Sequence, residues 1–191
     1  MVSASEGDLP RVTRSHTMKK LLAAAAAVTA LTLAAPAQAF TQSEIRAWNA
    51  SLSEAGVRYI VKKDCRSDIA AFYEPATRSI YVCMNNIRTV ELLQEATAHE
   101  AIHAAQHCVG RGLGVNAMLP LQTMLAQADP KLAYDWQLAV NNAAERKSAE
   151  LAKSTTFNTR GITVPLEREA YALESDHAAA LTLFRAACLG K

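Results

Sequence analysis

Hydrophobic positions follow two rhythms along this chain. Between Val57 and Met84 they fall in short β-branched and aromatic runs; from Thr89 onward they recur at the three- and four-residue spacing of helices. The first part reads as three strands, over 57–63, 69–74 and 79–84, the last two joined by a turn at Pro75-Ala76-Thr77-Arg78. Ahead of them, Thr41-Gln42-Ser43-Glu44 has the form of a capping box and predicts a helix to about Ala55, stopped by Gly56. Thr89 to Cys108 contains neither Gly nor Pro, which predicts one long helix from about Arg88 to Val109. Gly110, Gly112 and Gly114 make 109–116 a loop. Helices are then expected at about 117–128 and 130–153, with Pro130 at a first helical position. A second loop over 154–163 precedes a last helix from near Pro165 to about Leu189. The sum is an α+β domain: a small antiparallel or mixed three-stranded sheet packed on the long helix, followed by a helical C-terminal half.

The N-terminal region obeys a third pattern. From Met18, two lysines precede an apolar run over 21–35, and Pro36 precedes Ala37-Gln38-Ala39. That is the order of a secretory signal peptide: basic start, apolar middle, small-x-small cleavage site. Residues 1–39 are therefore expected to be an upstream extension plus leader, with the start at Met18 and cleavage after Ala39. Residues 40–191 are expected to form one extracytoplasmic domain, periplasmic or secreted, with no stable membrane anchor after cleavage. The 40–191 segment carries sixteen basic and sixteen acidic residues. No basic run remains that would argue for a nucleic-acid partner.

All four cysteines, Cys65, Cys83, Cys108 and Cys188, lie in that segment. An even count in an exported chain reads as two disulfides. Of three possible pairings, Cys65–Cys83 and Cys108–Cys188 are expected. The first would close the sheet segment, and the second would pin the C-terminal helix to the end of the long one.

The candidate chemistry sits inside the long helix, at His99-Glu100-Ala101-Ile102-His103. Four residues on an α-helix rise about 6 Å over about one turn, so both imidazoles leave the same face. Two neutral imidazoles so placed can share one Zn²⁺, and Glu100 beside the open position can take a proton from water. The pattern thus predicts Glu100 as catalytic base and His99 and His103 as metal ligands. A catalytic zinc takes a third protein ligand. His107 lies one turn further on, but three ligands from one straight helix fit a tetrahedron poorly. A carboxylate from the segment Leu166-Glu167-Arg168-Glu169-Ala170-Tyr171-Ala172-Leu173-Glu174 is expected instead. Glu169 is the choice, with Glu174 and Glu167 behind it and Glu145 and Glu150 as weaker candidates.

The stretch 73–86, running from Tyr73-Glu74-Pro75 to Cys83-Met84-Asn85-Asn86, followed by Ala98 to Cys108, resembles the small HExxH zinc metallopeptidases of the gluzincin kind. It is most similar to the family of mitochondrial inner-membrane proteases that process an ATP synthase subunit. The resemblance covers about residues 65–108. It implies a minimal zincin-like fold, zinc on His99 and His103, and Glu100 as general base. That family usually carries an aspartate three residues after the second histidine, where this chain has Gln106. The expected activity is hydrolysis of peptide bonds in a polypeptide substrate. The third strand would border the cleft and accept substrate by β-addition, and Tyr171 or His177 would donate to the oxyanion.

Two other readings use the same residues. Glu100-x-x-His103 and Glu174-x-x-His177 are both Glu-x-x-His pairs, and with Glu145 and Glu169 they could build a di-iron site in a helical bundle. A zincin-fold binding or chaperone domain without catalysis is the third.

Overall fold

The computed structural model describes residues 41–146 and 164–190. The leader, the cleavage site, the expected end of the fourth helix beyond residue 146 and the loop over 154–163 lie outside the described residues. Among them, six helices and a mixed three-stranded sheet form an α+β arrangement.

Helix α1 spans Gln42–Glu54 and opens with the expected capping box. The Glu44 amide donates to Thr41 Oγ1 at 3.3 Å, and the Thr41 amide donates to Glu44 Oε2 at 2.7 Å. Strands β1 (Arg58–Lys62), β2 (Ala71–Glu74) and β3 (Ser79–Cys83) follow. Their order is β1-β3-β2: β1 runs parallel to β3 with Arg58 opposite Ser79, and β2 runs antiparallel to β3 with Glu74 opposite Ser79. The β2–β3 connection is a 3₁₀ turn at Pro75–Thr77 that closes through Arg78 in the left-handed region, φ 50°. This topology corrects one expectation. β3 is the central strand and both its edges are hydrogen-bonded, so an added strand has only β1 or β2 to pair with.

Helix α2, Val90–Val109, carries the HExxH stretch. Thr89 Oγ1 accepts from the Leu92 amide at 3.1 Å and fixes its start, two residues later than expected. Ala98, Ala101, Ile102, Ala104 and Ala105 are buried. These mostly small side chains let the sheet and the C-terminal helices approach α2 closely. At its end Gly110 is obligatory, because a Cβ there would collide with the Ala117 carbonyl.

Helices α3 (Leu121–Ala128) and α4 (Pro130–Arg146) form a pair. The single last helix expected from residue 165 is in fact two, α5 (Val164–Leu173) and α6 (His177–Leu189). Asp176 makes the break: its carboxylate accepts from the Ala179 amide at 3.0 Å and caps α6. The turn lets α5 lay its carboxylates over the imidazoles while α6 packs along α2. Trp48 of α1 meets Phe184 of α6 in the core, ring centroids 5.9 Å apart.

Both expected disulfides are present, Cys65–Cys83 and Cys108–Cys188. By loop length they restrict the unfolded chain by about 3 and about 4–5 kcal/mol. Two disulfides indicate an oxidising, extracytoplasmic environment. Among the described residues no helix is long and apolar enough to cross a membrane.

Candidate metal centre

His99 and His103 leave α2 on one face, as their spacing requires, with ring centroids 4.9 Å apart. Glu167 of α5 straddles them: Oε2 lies 3.4 Å from His99 Nε2, and Oε1 lies 3.5 Å from His103 Nε2. One donor atom from each of the three residues lies within 4.8 Å of the others, close enough to hold a metal ion.

Zinc bonds of about 2.0–2.2 Å put neighbouring donor atoms about 3.3–3.6 Å apart; each imidazole has one Glu167 oxygen at that spacing, Oε2 for His99 and Oε1 for His103, and one atom from each of the three residues lies within 4.8 Å of the others. Each imidazole also has its other nitrogen occupied, the arrangement that fixes a metal-binding tautomer. His99 Nδ1 donates to Glu174 Oε2 at 3.0 Å. His103 Nδ1 donates to Gln106 Oε1 at 2.8 Å. Gln106 cannot present its amide group there, since its Nε2 donates to the Leu166 carbonyl and to Glu169, both at 2.9 Å. The Nε2 lone pairs are thereby turned towards Glu167.

The charges point the same way. Glu167 and Glu174 flank His99, Glu100 lies close enough to act on it, and little water reaches them to offset three carboxylates. Burial alone would lower the His99 pKa, but the hydrogen bonds to Glu167 and Glu174, with Glu100 adding to them, push it up to about 10. The cluster binds a positive charge: a proton on His99, or a cation that all three donors share. Glu100 itself, 8% exposed, makes no hydrogen bond or ion pair with a described residue.

The structure brings Glu167, and not Glu169, to the two imidazoles. Glu169, the expected third ligand, stands one link behind the site. Its carboxylate takes the Leu121 amide at 2.7 Å, the Gln122 amide at 2.9 Å, Trp136 Nε1 at 3.0 Å and Gln106 Nε2 at 2.9 Å. Four donors fill its lone-pair sites. Burial raises the Glu169 pKa above the ordinary carboxylate value, and the four donors hold that rise back. Its work is to close the N-terminus of α3, where Pro120 supplies no side-chain cap. Residues 117–120, expected in that helix, stay outside it: α3 begins where this carboxylate sits.

The other candidates separate. Glu174, a runner-up, orients His99 through Nδ1. His107 is engaged elsewhere, its Nδ1 accepting from the Tyr73 hydroxyl at 2.6 Å and its Nε2 donating to the Val115 carbonyl at 2.9 Å. Tyr171 packs its ring edge-on against His99, centroids 4.6 Å apart. His177 begins α6 and faces the carboxylates of Glu44 and Asp176; burial lowers its pKa and those two raise it. The second Glu-x-x-His pair of the di-iron reading is thus divided, and that reading's Glu169 is spent on α3. Comparisons with protein-family models, with curated proteins and with solved structures found no match.

Proposed function

We propose that this chain is an exported zinc metallopeptidase with a minimal zincin-like fold, in which His99, His103 and Glu167 hold the ion and Glu100 is the general base. The observation that carries it is the straddling Glu167 carboxylate opposite two imidazoles whose outer nitrogens are already fixed. A sheet packed on an HExxH helix, with the acidic ligand on a later helix, supports the fold class.

When bound, zinc supplies Lewis acidity that polarises a carbonyl and makes water nucleophilic near neutral pH. The remaining work belongs to side chains. Glu100, nearly buried and without a donor among the described residues, accepts a proton at a carboxylate oxygen and returns it to the leaving amine. Glu174 and Gln106 hold the two imidazoles in their tautomers. The His99 side chain, 12% exposed against 7% for His103 and 6% for Glu167, marks the side on which substrate enters. Tyr171 flanks that side and is the donor proposed for the developing oxyanion.

The near-burial of Glu100 favours a second reading, a metal-binding domain of the same fold without turnover. Incubating the zinc-loaded chain with an unfolded polypeptide, with and without chelator, separates the two. Chelator-sensitive cleavage that disappears in Glu100→Gln, with zinc still bound, supports the peptidase. Absence of cleavage by the zinc-loaded chain supports the binder.

A further inference from the structure

One turn beyond His103, the end of α2, the β2–β3 turn and the glycine loop border an open, solvent-facing cavity of about 480 Å³. Arg78, His107, Arg111, Gly112, Gly114 and Val115 line it, and none of its described lining residues is acidic. Neither guanidinium is in an ion pair with a described residue. Arg78 gives an Nη2 hydrogen to the Ala55 carbonyl, while its Nε is buried without a hydrogen-bond partner. Among the described residues Arg111 has one weak hydrogen bond, Nη2 to Cys108 Sγ at 3.2 Å.

His107 does not supply the missing acceptor. Its Nδ1 is taken by the Tyr73 hydroxyl and its Nε2–H by Val115. Burial lowers the Arg111 pKa first, and the neighbouring Arg78 charge lowers it further. Arg111 is exposed and Arg78 half-buried, and two like charges that act on each other at an open surface are both eased by an anion between them. Positive-φ backbone gathers here as well. Arg78 is the one described non-glycine residue with positive φ, and Gly112 and Gly114 sit at φ 99° and 144°. Added Cβ atoms at those two glycines would meet nothing within 4 Å, so open space adjoins the loop. Of these residues only the left-handed Arg78 is costly, a conformation of the kind found at ligand-binding segments.

We infer that this cavity is an oxyanion site, in which a carboxylate or phosphate group sits between Arg78 and Arg111. The planar guanidinium forks suit bidentate recognition of either group. The site uses none of the metal-centre residues and does not depend on the proposed hydrolysis. Two sources could supply the group: a free small anion, or the C-terminal carboxylate of a polypeptide.

The test is a titration of the isotope-labelled, disulfide-intact chain at constant ionic strength, following the arginine Nε–H signals and the Gly112 and Gly114 amides by NMR. The probes are inorganic phosphate, acetate, trialanine and trialanine amide. The inference expects saturable shifts in those signals with at least one oxyanion probe, and about tenfold or more weaker binding in Arg111→Gln. Arg111→Lys, which keeps charge but loses the fork, should fall between them. Preference for phosphate or acetate assigns the site to free anions; preference for trialanine over both, lost in its amide, assigns it to polypeptide termini. No saturable shift with any probe, or equal affinity in Arg111→Gln, overturns the inference.

Discussion

Gln106 joins His103 to Glu169. Its Oε1 takes the imidazole Nδ1–H at 2.8 Å, and its Nε2 meets the Glu169 carboxylate at 2.9 Å. A neutral amide here does two things at once, of which an ionised aspartate could do only the first. It accepts from the histidine, and it donates to a buried anion that a second carboxylate would repel. The position where this chain departs from the metallopeptidase pattern is therefore matched by the presence of Glu169 behind it.

Gln106→Ala should weaken metal binding about 10–100-fold, the usual cost of losing an orienting partner. Far-ultraviolet circular dichroism should change little. Gln106→Glu should be worse for stability than Gln106→Ala, because it sets a carboxylate against Glu169. Competitive chelator titration and thermal denaturation of the three proteins check both statements.

Glu169→Ala should destabilise the metal-free fold by about 3–5 kcal/mol. It leaves the Leu121 and Gln122 amides and Trp136 Nε1 without their acceptor in the interior. Glu167→Ala should instead leave metal-free stability much closer to wild type. Equilibrium denaturation in the presence of chelator distinguishes them; equal losses in the two variants would contradict the separate roles assigned to these carboxylates.

Acid should loosen the fold through His107. Burial lowers its pKa below the ordinary histidine value, Val115 raises it, and Arg78 and Arg111 lower it. The folded state thus holds this imidazole neutral, as its bond from Tyr73 requires, while the unfolded chain protonates it more readily. Its stabilising contribution is complete above about pH 6.5 and is lost as pH falls through that value towards the lower folded pKa. His177, also lowered by burial, adds to the same limb. The melting temperature should drop between pH 7 and 5, and the drop should be smaller in His107→Gln.

The sequence made the helical pair legible because helical spacing alone fixes which side chains share a face. His99 and His103 need only α2 to exist, and Thr89 and the Gly-free run ensure that it does. The disulfides were legible for a related reason: each pair joins segments whose neighbourhood follows from the element order. The carboxylate beside the imidazoles was harder. Glu167 and Glu169 are two residues apart on α5, about 200° around the axis, so choosing between them requires knowing which face meets α2. A signal was present. Glu167, Tyr171 and Glu174 fall at i, i+4 and i+7, one stripe, and all three border the imidazoles; Glu169 lies off that stripe. Its partners, α3 and Trp136, lie far away in sequence, and no local pattern links them. Asp176 likewise announces a helix start in retrospect, hidden within an alanine-rich run that continues the helical rhythm on both sides.

The most direct test of the metal centre is the metal content of the purified chain and of Glu167→Ala after equilibration with zinc and desalting, read by inductively coupled plasma mass spectrometry. The account predicts one zinc per wild-type chain and almost none in the variant. A wild-type chain that retains no zinc, or a variant that retains as much as wild type, would contradict it.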